Sequence, residues 1–140
     1  MTNQIHPCLW FDGQAKEAAD FYCSIFENSK VTVDTPLVVN FELNGKKFMG
    51  LNGGPLFKFN EAISFVIDCE TQEEIDYYWD KLTEGGEESQ CGWLKDKFGV
   101  SWQVVPTILG KLMSDAEKAP RVIQAFMQMK KFDIEKLKQA

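Results

Sequence analysis

A single histidine limits the acid–base chemistry open to this chain. His6 is the only imidazole among 140 residues, so proton transfer by histidine either uses it or does not occur. In IHPCLWF it shares one parity with Cys8 and Trp10, while Pro7, Leu9 and Phe11 share the other, so on a strand the two sets face opposite sides of a sheet. His6 has two readings: a ligand-contacting group, or a partly exposed structural residue ahead of Pro7. Cys8 and Cys91 are the candidate thiols. Neither has a basic neighbour in sequence to lower its pKa, and an inert buried thiol is the ordinary alternative. No Asp or Glu falls at an inward strand position to orient His6, which weakens any triad-like scheme.

Rings and amides are better represented than nucleophiles. Gln90-Cys91-Gly92-Trp93, taken with Trp10, Phe57, Phe59 and Trp102, supplies many aromatic surfaces, and Asn52, Gln90 and Gln103 supply neutral hydrogen-bonding groups. That mixture suits a pocket for a flat or apolar small molecule. Core filling is the competing reading. It is preferred for Trp102, whose parity turns it towards a helix, and is left open for Trp10 and Trp93. Met113, Met127 and Met129 read as core or dimer contacts.

The elements that must position these residues come as a repeated pattern. IHPCLWF reads as a strand, and QAKEAADFYCSIF as a helix burying Ala15, Ala18, Ala19, Tyr22, Ile25 and Phe26. KVTV, PLVVNFELNG and KKFMGLNGG read as three further strands, the last two joined at the hairpin dipeptide Asn44-Gly45. ISFVIDC then restarts the pattern, and Thr71 to Glu74 forms a capping box for a helix burying Ile75, Tyr78, Trp79 and Leu82 and stopping at Gly85-Gly86. A shift of 56 residues superposes Leu9 on Phe65, Phe11 on Ile67, Asp12 on Asp68 and Tyr22 on Tyr78.

The expected fold is therefore α+β: two βαβββ repeats, about 4–54 and 60–106, making curved sheets around a concave pocket, with a helical tail over 107–140, all in one domain of residues 1–140. Alternation predicts that Phe48, Gly50 and Asn52 face the concavity from the fourth strand, Ala62, Ser64 and Val66 from the fifth, and Ser101, Gln103 and Val105 from the last. In the tail, a second capping box from Ser114 to Glu117 predicts a helix with Val122, Ala125, Phe126 and Met129 on one face, and Asp133 caps a last short turn.

Composition narrows the partners. Hydrophobic residues make up 44% and aromatic ones 13%, enough for a large core without staples. A formal charge of −6, with no basic cluster longer than Lys46-Lys47 or Lys130-Lys131, argues against nucleic acid. No apolar run approaches the ~20 residues needed to cross a bilayer, and MTNQIHPC lacks the pattern of a signal peptide, so a cytoplasmic protein with no membrane partner is expected. Cys8, Cys23, Cys69 and Cys91 show no CxxC spacing, and reduced, mostly buried thiols are expected.

The blocks PCLWFDGQAKEAADFYCSIF, FMGLNGGPLFKFNEAISFV, EEIDYYWDKL and GGEESQCGWLKDKFGVSWQVVP, in this order, closely resemble the PhnB-like branch of the vicinal-oxygen-chelate superfamily, relatives of glyoxalase I, extradiol dioxygenases and bleomycin-resistance proteins. The resemblance runs from Ile5 to the C-terminal helix, with a shorter segment between Lys30 and Phe41 than is usual in that branch. It implies the paired βαβββ fold and often a homodimer, but no single reaction. Metal-dependent members of the superfamily hold a divalent ion with four inward His or carboxylate residues, and the positions matching these are His6, Gly50, Ala62 and Gln103. Only His6 is a good ligand.

Some members of the branch carry a demethylubiquinone 3-methyltransferase label. The usual S-adenosylmethionine cradle needs a Gly-rich turn between strand and helix, whereas Gly53-Gly54 and Gly85-Gly86 read as ordinary turns. The function expected is a metal-free, cofactor-free, homodimeric small-molecule-binding protein whose pocket draws on His6, Cys8, Trp10, Asn52, Gln90, Cys91, Trp93 and Gln103. The alternative is an enzyme of lyase, dioxygenase or isomerase type using His6 or a cysteine with a further cofactor.

Overall fold

The computed structural model describes all residues, Met1–Ala140. Contacts divide the chain into two compact units, Met1–Phe59 and Asn60–Ala140, a boundary that falls between the two repeats. Each unit holds one four-stranded mixed sheet, open at its edges, with a helix on one face.

In the first unit the elements are β1 (Cys8–Phe11), α1 (Ala15–Ile25), β2 (Lys30–Asp34), β3 (Val38–Leu43) and β4 (Lys46–Asn52), with strand order β1-β4-β3-β2. Asn44 and Gly45 both take positive φ, 52° and 77°, as the tight β3–β4 hairpin requires. Ala15, Ala18, Ala19 and Tyr22 of α1 are fully buried, together with Val39 and Phe41 of the sheet. Helical spacing thus presents one apolar stripe, and the sheet covers it.

The register corrects one expectation. Phe48, Gly50 and Asn52 do not face away from the helix; they lie beneath α1. β1 pairs in parallel with β4 so that Leu9 meets Gly50 and Phe11 meets Asn52, and directly paired residues share a face. Leu9 and Phe11 are buried, and a Cβ added to Gly50 would lie 3.1 Å from that of Ala15. The open face of this sheet therefore carries Cys8, Trp10, Val38, Asn40, Glu42, Met49 and Leu51.

The second unit repeats the topology with β5 (Ser64–Cys69), α2 (Gln72–Thr83), β6 (Glu87–Glu88), β7 (Trp93–Lys95) and β8 (Ser101–Pro106), in the order β5-β8-β7-β6. Thr71 caps α2 by accepting from the Glu74 N–H at 3.2 Å, while the Glu74 carboxylate accepts from the Glu70 N–H at 3.2 Å. Ile75, Trp79 and Leu82 are buried against the sheet, Tyr78 only partly. Ser64, Val66, Ser101, Gln103 and Val105 lie on the open face as expected, but Ala62 does not belong to the strand: it sits in an exposed turn where its N–H donates to Asn60 Oδ1.

The tail forms three short helices, α3 (Ile108–Met113), α4 (Ala119–Phe126) and α5 (Ile134–Gln139). The box expected from Ser114 to Glu117 does not form. Ser114 ends α3 with its hydroxyl on the Lys111 carbonyl, and Asp115 Oδ1 takes the Glu117 and Lys118 N–H groups in its place. The nearer carboxylate out-competes the hydroxyl. Asp133 does cap α5, accepting from the Lys136 N–H, and Val122, Phe132 and Leu137 are buried.

Candidate functional site

On the open face of the first sheet, Trp10 is held rather than free to swing. Its indole N–H donates to the Gly54 carbonyl at 2.8 Å, and its ring meets Phe57 edge-on at 4.9 Å. Gly53 makes this possible, since a Cβ there would fall 2.4 Å from the indole. Cys8 is exposed beside it, yet partial desolvation raises its thiol pKa, so a thiolate nucleophile is disfavoured. His6 precedes β1, with its Nδ1 buried and unpartnered.

Asn40 occupies the same face, paired across the ladder with Met49, and its Oδ1 is also buried without a hydrogen-bond partner. Sequence reasoning missed it, although its alternation with buried Val39 and Phe41 is the signal that finds it. Asn52, by contrast, is part of the scaffold: Oδ1 accepts from the Ala15 N–H at 2.9 Å, capping α1 from a distance, and its amide donates to the Pro36 carbonyl.

The open face of the second sheet is arranged in rows. Ser64, Ser101 and Lys95 lie side by side across β5, β8 and β7, and Val66, Gln103 and Trp93 form the next row. The Gln103 amide donates to Ser64 Oγ at 3.0 Å. Val66, on the edge strand β5, is 54% exposed, and Trp93 is half-buried beside Gln103. Ser101 is only 1% exposed, and its hydroxyl has no partner.

Gln90 and Cys91 serve a different contact. The Cys91 and Gly92 N–H groups donate to the Met129 and Lys130 carbonyls, both at 2.8 Å, and Cys91 Sγ lies 3.9 Å from Met127 Sδ, so this turn docks the tail. Gln90 is exposed, its carbonyl accepting from the Trp93 N–H. Trp102 is core, with its indole N–H on the buried Asp96 carboxylate at 2.9 Å.

A family model described as 3-demethylubiquinone-9 3-methyltransferase matches residues 3–105. A PhnB protein from Bacillus cereus, itself named for that methyltransferase activity, is 33% identical, with 75% of this chain and 100% of that one covered and a TM-score of 0.69. This chain belongs to the PhnB-like family. Within the vicinal-oxygen-chelate superfamily, the PhnB-like fold is shared with the fosfomycin resistance protein FosX of Listeria monocytogenes, 16% identical with 81% and 98% of the chains covered and a TM-score of 0.61. A glyoxalase-related enzyme from Fulvimarina pelagi is 12% identical, with 77% and 91% covered and a TM-score of 0.56. No curated protein matches the chain.

The FosX structure is a complex with Mn(II) and sulfate, which makes the donor set of the PhnB-like chain worth testing against a divalent ion. It does not fit one. No three His, Cys, Asp or Glu side chains come together; Gly50 lies under α1, Ala62 sits in a turn, and Gln103, whose Nε2 donates to Ser64 Oγ, offers only a neutral amide oxygen. His6 alone is too few donors, since about three protein ligands are typical of a catalytic site.

Proposed function

We propose that this PhnB-like protein binds a small apolar or aromatic molecule on the open faces of its sheets, without a metal ion and without covalent chemistry. The observation that carries this reading is that apolar side chains share faces no helix covers with unsatisfied polar atoms: Trp10 with Asn40 Oδ1 in one unit, and Val66 and Trp93, one row over, with Ser101 Oγ in the other. A buried polar atom without a partner costs about 1–3 kcal/mol, and a site that awaits a ligand is one place where that cost is tolerated. The raised thiol pKa of Cys8 weighs against the enzymatic alternative. Thermal shift across a panel of apolar compounds and divalent ions is the test, because a ligand at about 100 times its Kd adds roughly 2.7 kcal/mol to stability. A rise with apolar compounds and none with Mn(II), Ni(II) or Zn(II) is expected; stoichiometric metal found by elemental analysis after dialysis, and lost in His6→Ala, overturns it.

Methyl transfer is not part of this reading. Gly53 is needed for Trp10, Gly85 turns the chain at φ 75° after α2, and a Cβ on Gly86 would collide with the Lys95 carbonyl, so packing and turn geometry account for both glycine pairs. Calorimetry with S-adenosylmethionine is expected to give no heat, and micromolar binding would reverse the conclusion.

The protein acts in this reading as a cytosolic homodimer. Its four cysteines are free, no helix is long and apolar enough to cross a membrane, and each unit leaves large apolar side chains exposed, Leu37 and Phe57 in one and Ile123 and Met127 in the other. Light scattering at micromolar concentration should report twice the 16.0 kDa of the chain; the monomer mass excludes the dimer.

A further inference from the structure

The ion pair between Lys95 and Glu61, 2.6 Å apart, has an unusual course over the second sheet. Lys95 is on β7 and Glu61 on the turn that enters β5, so the link has to cross the strand between them, β8. The β8 residue in that row is Ser101, paired with Lys95 on one side and Ser64 on the other. Neighbouring strands are about 4.8 Å apart, so the Lys95–Glu61 link spans the width of β8 at the end of the sheet where Ser101 begins that strand. The Ser101 hydroxyl in that row is 1% exposed and has no hydrogen-bond partner.

We infer that Lys95 and Ser101 form an anion subsite in which Glu61 is a displaceable stand-in for the acidic group of the ligand. The inference rests on the small-molecule reading above and refines it: the ligand is an aromatic or apolar body bearing one carboxylate or sulfonate. The body lies on the adjacent row, Val66 and Trp93, and the acid on Lys95. The Glu61 side chain is 62% exposed and tethered only by its turn, so it swings into water at little cost. On its departure the Ser101 hydroxyl donates to the incoming oxygen while Lys95 keeps an ionic partner. Ser64 already accepts from Gln103 and keeps its own proton to offer. Glu87, paired with Lys95 across the β6–β7 ladder, remains as the one neighbouring carboxylate and limits the subsite to a single negative charge.

Two fluorescent dyes of nearly the same shape test this: anilinonaphthalene sulfonate, which is acidic, and phenylnaphthylamine, which is neutral. Glu61→Gln should tighten the sulfonate dye about two- to fivefold, the range of one exposed ion pair, and leave the neutral dye unchanged. Lys95→Gln should weaken the sulfonate dye about tenfold, as loss of a charge-assisted contact does, again sparing the neutral one. Variants that shift both dyes alike, or neither, overturn the subsite while the apolar reading survives. A sulfonate dye that follows the variants while the neutral dye fails to bind overturns the apolar reading and keeps the subsite; silence with both dyes overturns both. The Glu61 side chain is 62% exposed and that of Lys95 37%, and matched circular dichroism and Tm will establish that each variant folds. Should Lys95→Gln not fold, Glu61→Gln alone decides.

Discussion

The two units share a topology and fill the space beneath their helices in opposite ways. Gly50 and Trp102 hold the same place in the two ladders, one opposite Leu9 and the other opposite Phe65. The smallest residue in one unit thus matches the largest in the other. Under α1, Gly50 meets Ala15 in a helix whose buried stripe is mostly alanine, so helix and strand approach closely. Under α2, Trp102 packs at 5.3 Å from Phe65 and ties its indole to Asp96, and the helix buries Ile75, Trp79 and Leu82 in place of alanines. A repeated backbone pattern therefore does not require repeated side chains, only a matched sum of volumes at each layer.

Trp102→Ala should be the most damaging change, costing about 3–5 kcal/mol in a denaturant titration. It also strips one partner from the buried Asp96 carboxylate, which otherwise accepts from Trp102 Nε1, the Phe98 N–H and the Val100 N–H. Trp102→Phe retains part of the volume and should fall between that value and the unmodified protein. A change below about 1 kcal/mol for the alanine variant would mean that the second layer collapses around the gap, and the contrast between the units would lose its meaning.

The opposite substitution probes the other unit. Gly50→Val adds atoms where even a Cβ lies 3.1 Å from Ala15 and 3.3 Å from the Val39 carbonyl, and overpacking of this kind costs about 1–3 kcal/mol. In an Ala15→Gly background the penalty of Gly50→Ala should shrink, and a coupling of at least about 0.5 kcal/mol in the double-mutant cycle is expected if close approach is the reason for glycine here. Additive costs would assign the glycine to β4 alone.

Helix entry differs as well, and by less. α2 is capped by its own Thr71, whereas α1 receives its cap from Asn52 on β4. Either alanine variant should lose about 1 kcal/mol, with Asn52→Ala the worse because the same side chain also holds the Pro36 carbonyl. Asn52→Asp keeps the acceptor for Ala15 and gives up the amide donor, so an intermediate stability separates the two contributions.

These contrasts explain which parts of the structure were legible beforehand. The strands, both helices and the repeat shift are written in local alternation, hairpin dipeptides and a capping box. The phase of β4 is not. In KKFMGLN both parities carry apolar residues, Phe48 on one and Met49 and Leu51 on the other, so only the parallel register with β1 decides which faces α1. The same ambiguity sent Asn52 to the wrong face. Ser114 and Glu117 repeat the pattern of Thr71 and Glu74, but Asp115 between them supplies a stronger acceptor to the same N–H groups. Asn40 and Ser101 stood out only once their missing partners could be seen. Gln90 and Cys91 read as pocket residues because a turn that docks a distant tail has no local signature.

That tail supplies the smallest effect and a further difference between the units, since only the second unit carries the tail. The Gln72 amide donates to the Phe132 carbonyl and to Asp76 at 3.0 Å each, and its oxygen accepts from the Ile134 N–H at 2.9 Å, so one side chain pairs with the tail backbone as a strand would. Lys131 closes the same contact on Asp76 at 2.8 Å. Hydrogen bonds from Lys131 and Gln72 lower the Asp76 pKa, and Asp76 first among its neighbours raises that of Lys131. A depressed carboxyl contributes stability above its unfolded value, near about 3.9, and that contribution is lost as pH falls through the lower folded value. The raised lysine contributes below its unfolded value, near about 10.4, and its share is lost as pH rises through the higher folded one. Both side chains are more than a third exposed, 38% for Lys131 and 45% for Asp76, so the effect is small and screened by salt. Asp76→Asn should therefore flatten the acid limb of the stability–pH curve slightly and leave neutral hydrogen bonding to Gln72 in place. Gln72→Leu should instead lower stability at every pH and speed amide exchange at Ile134, because the backbone partner is lost rather than the charge. If the two variants give the same pH profile, the tail is held by charge and not by the Gln72 amide.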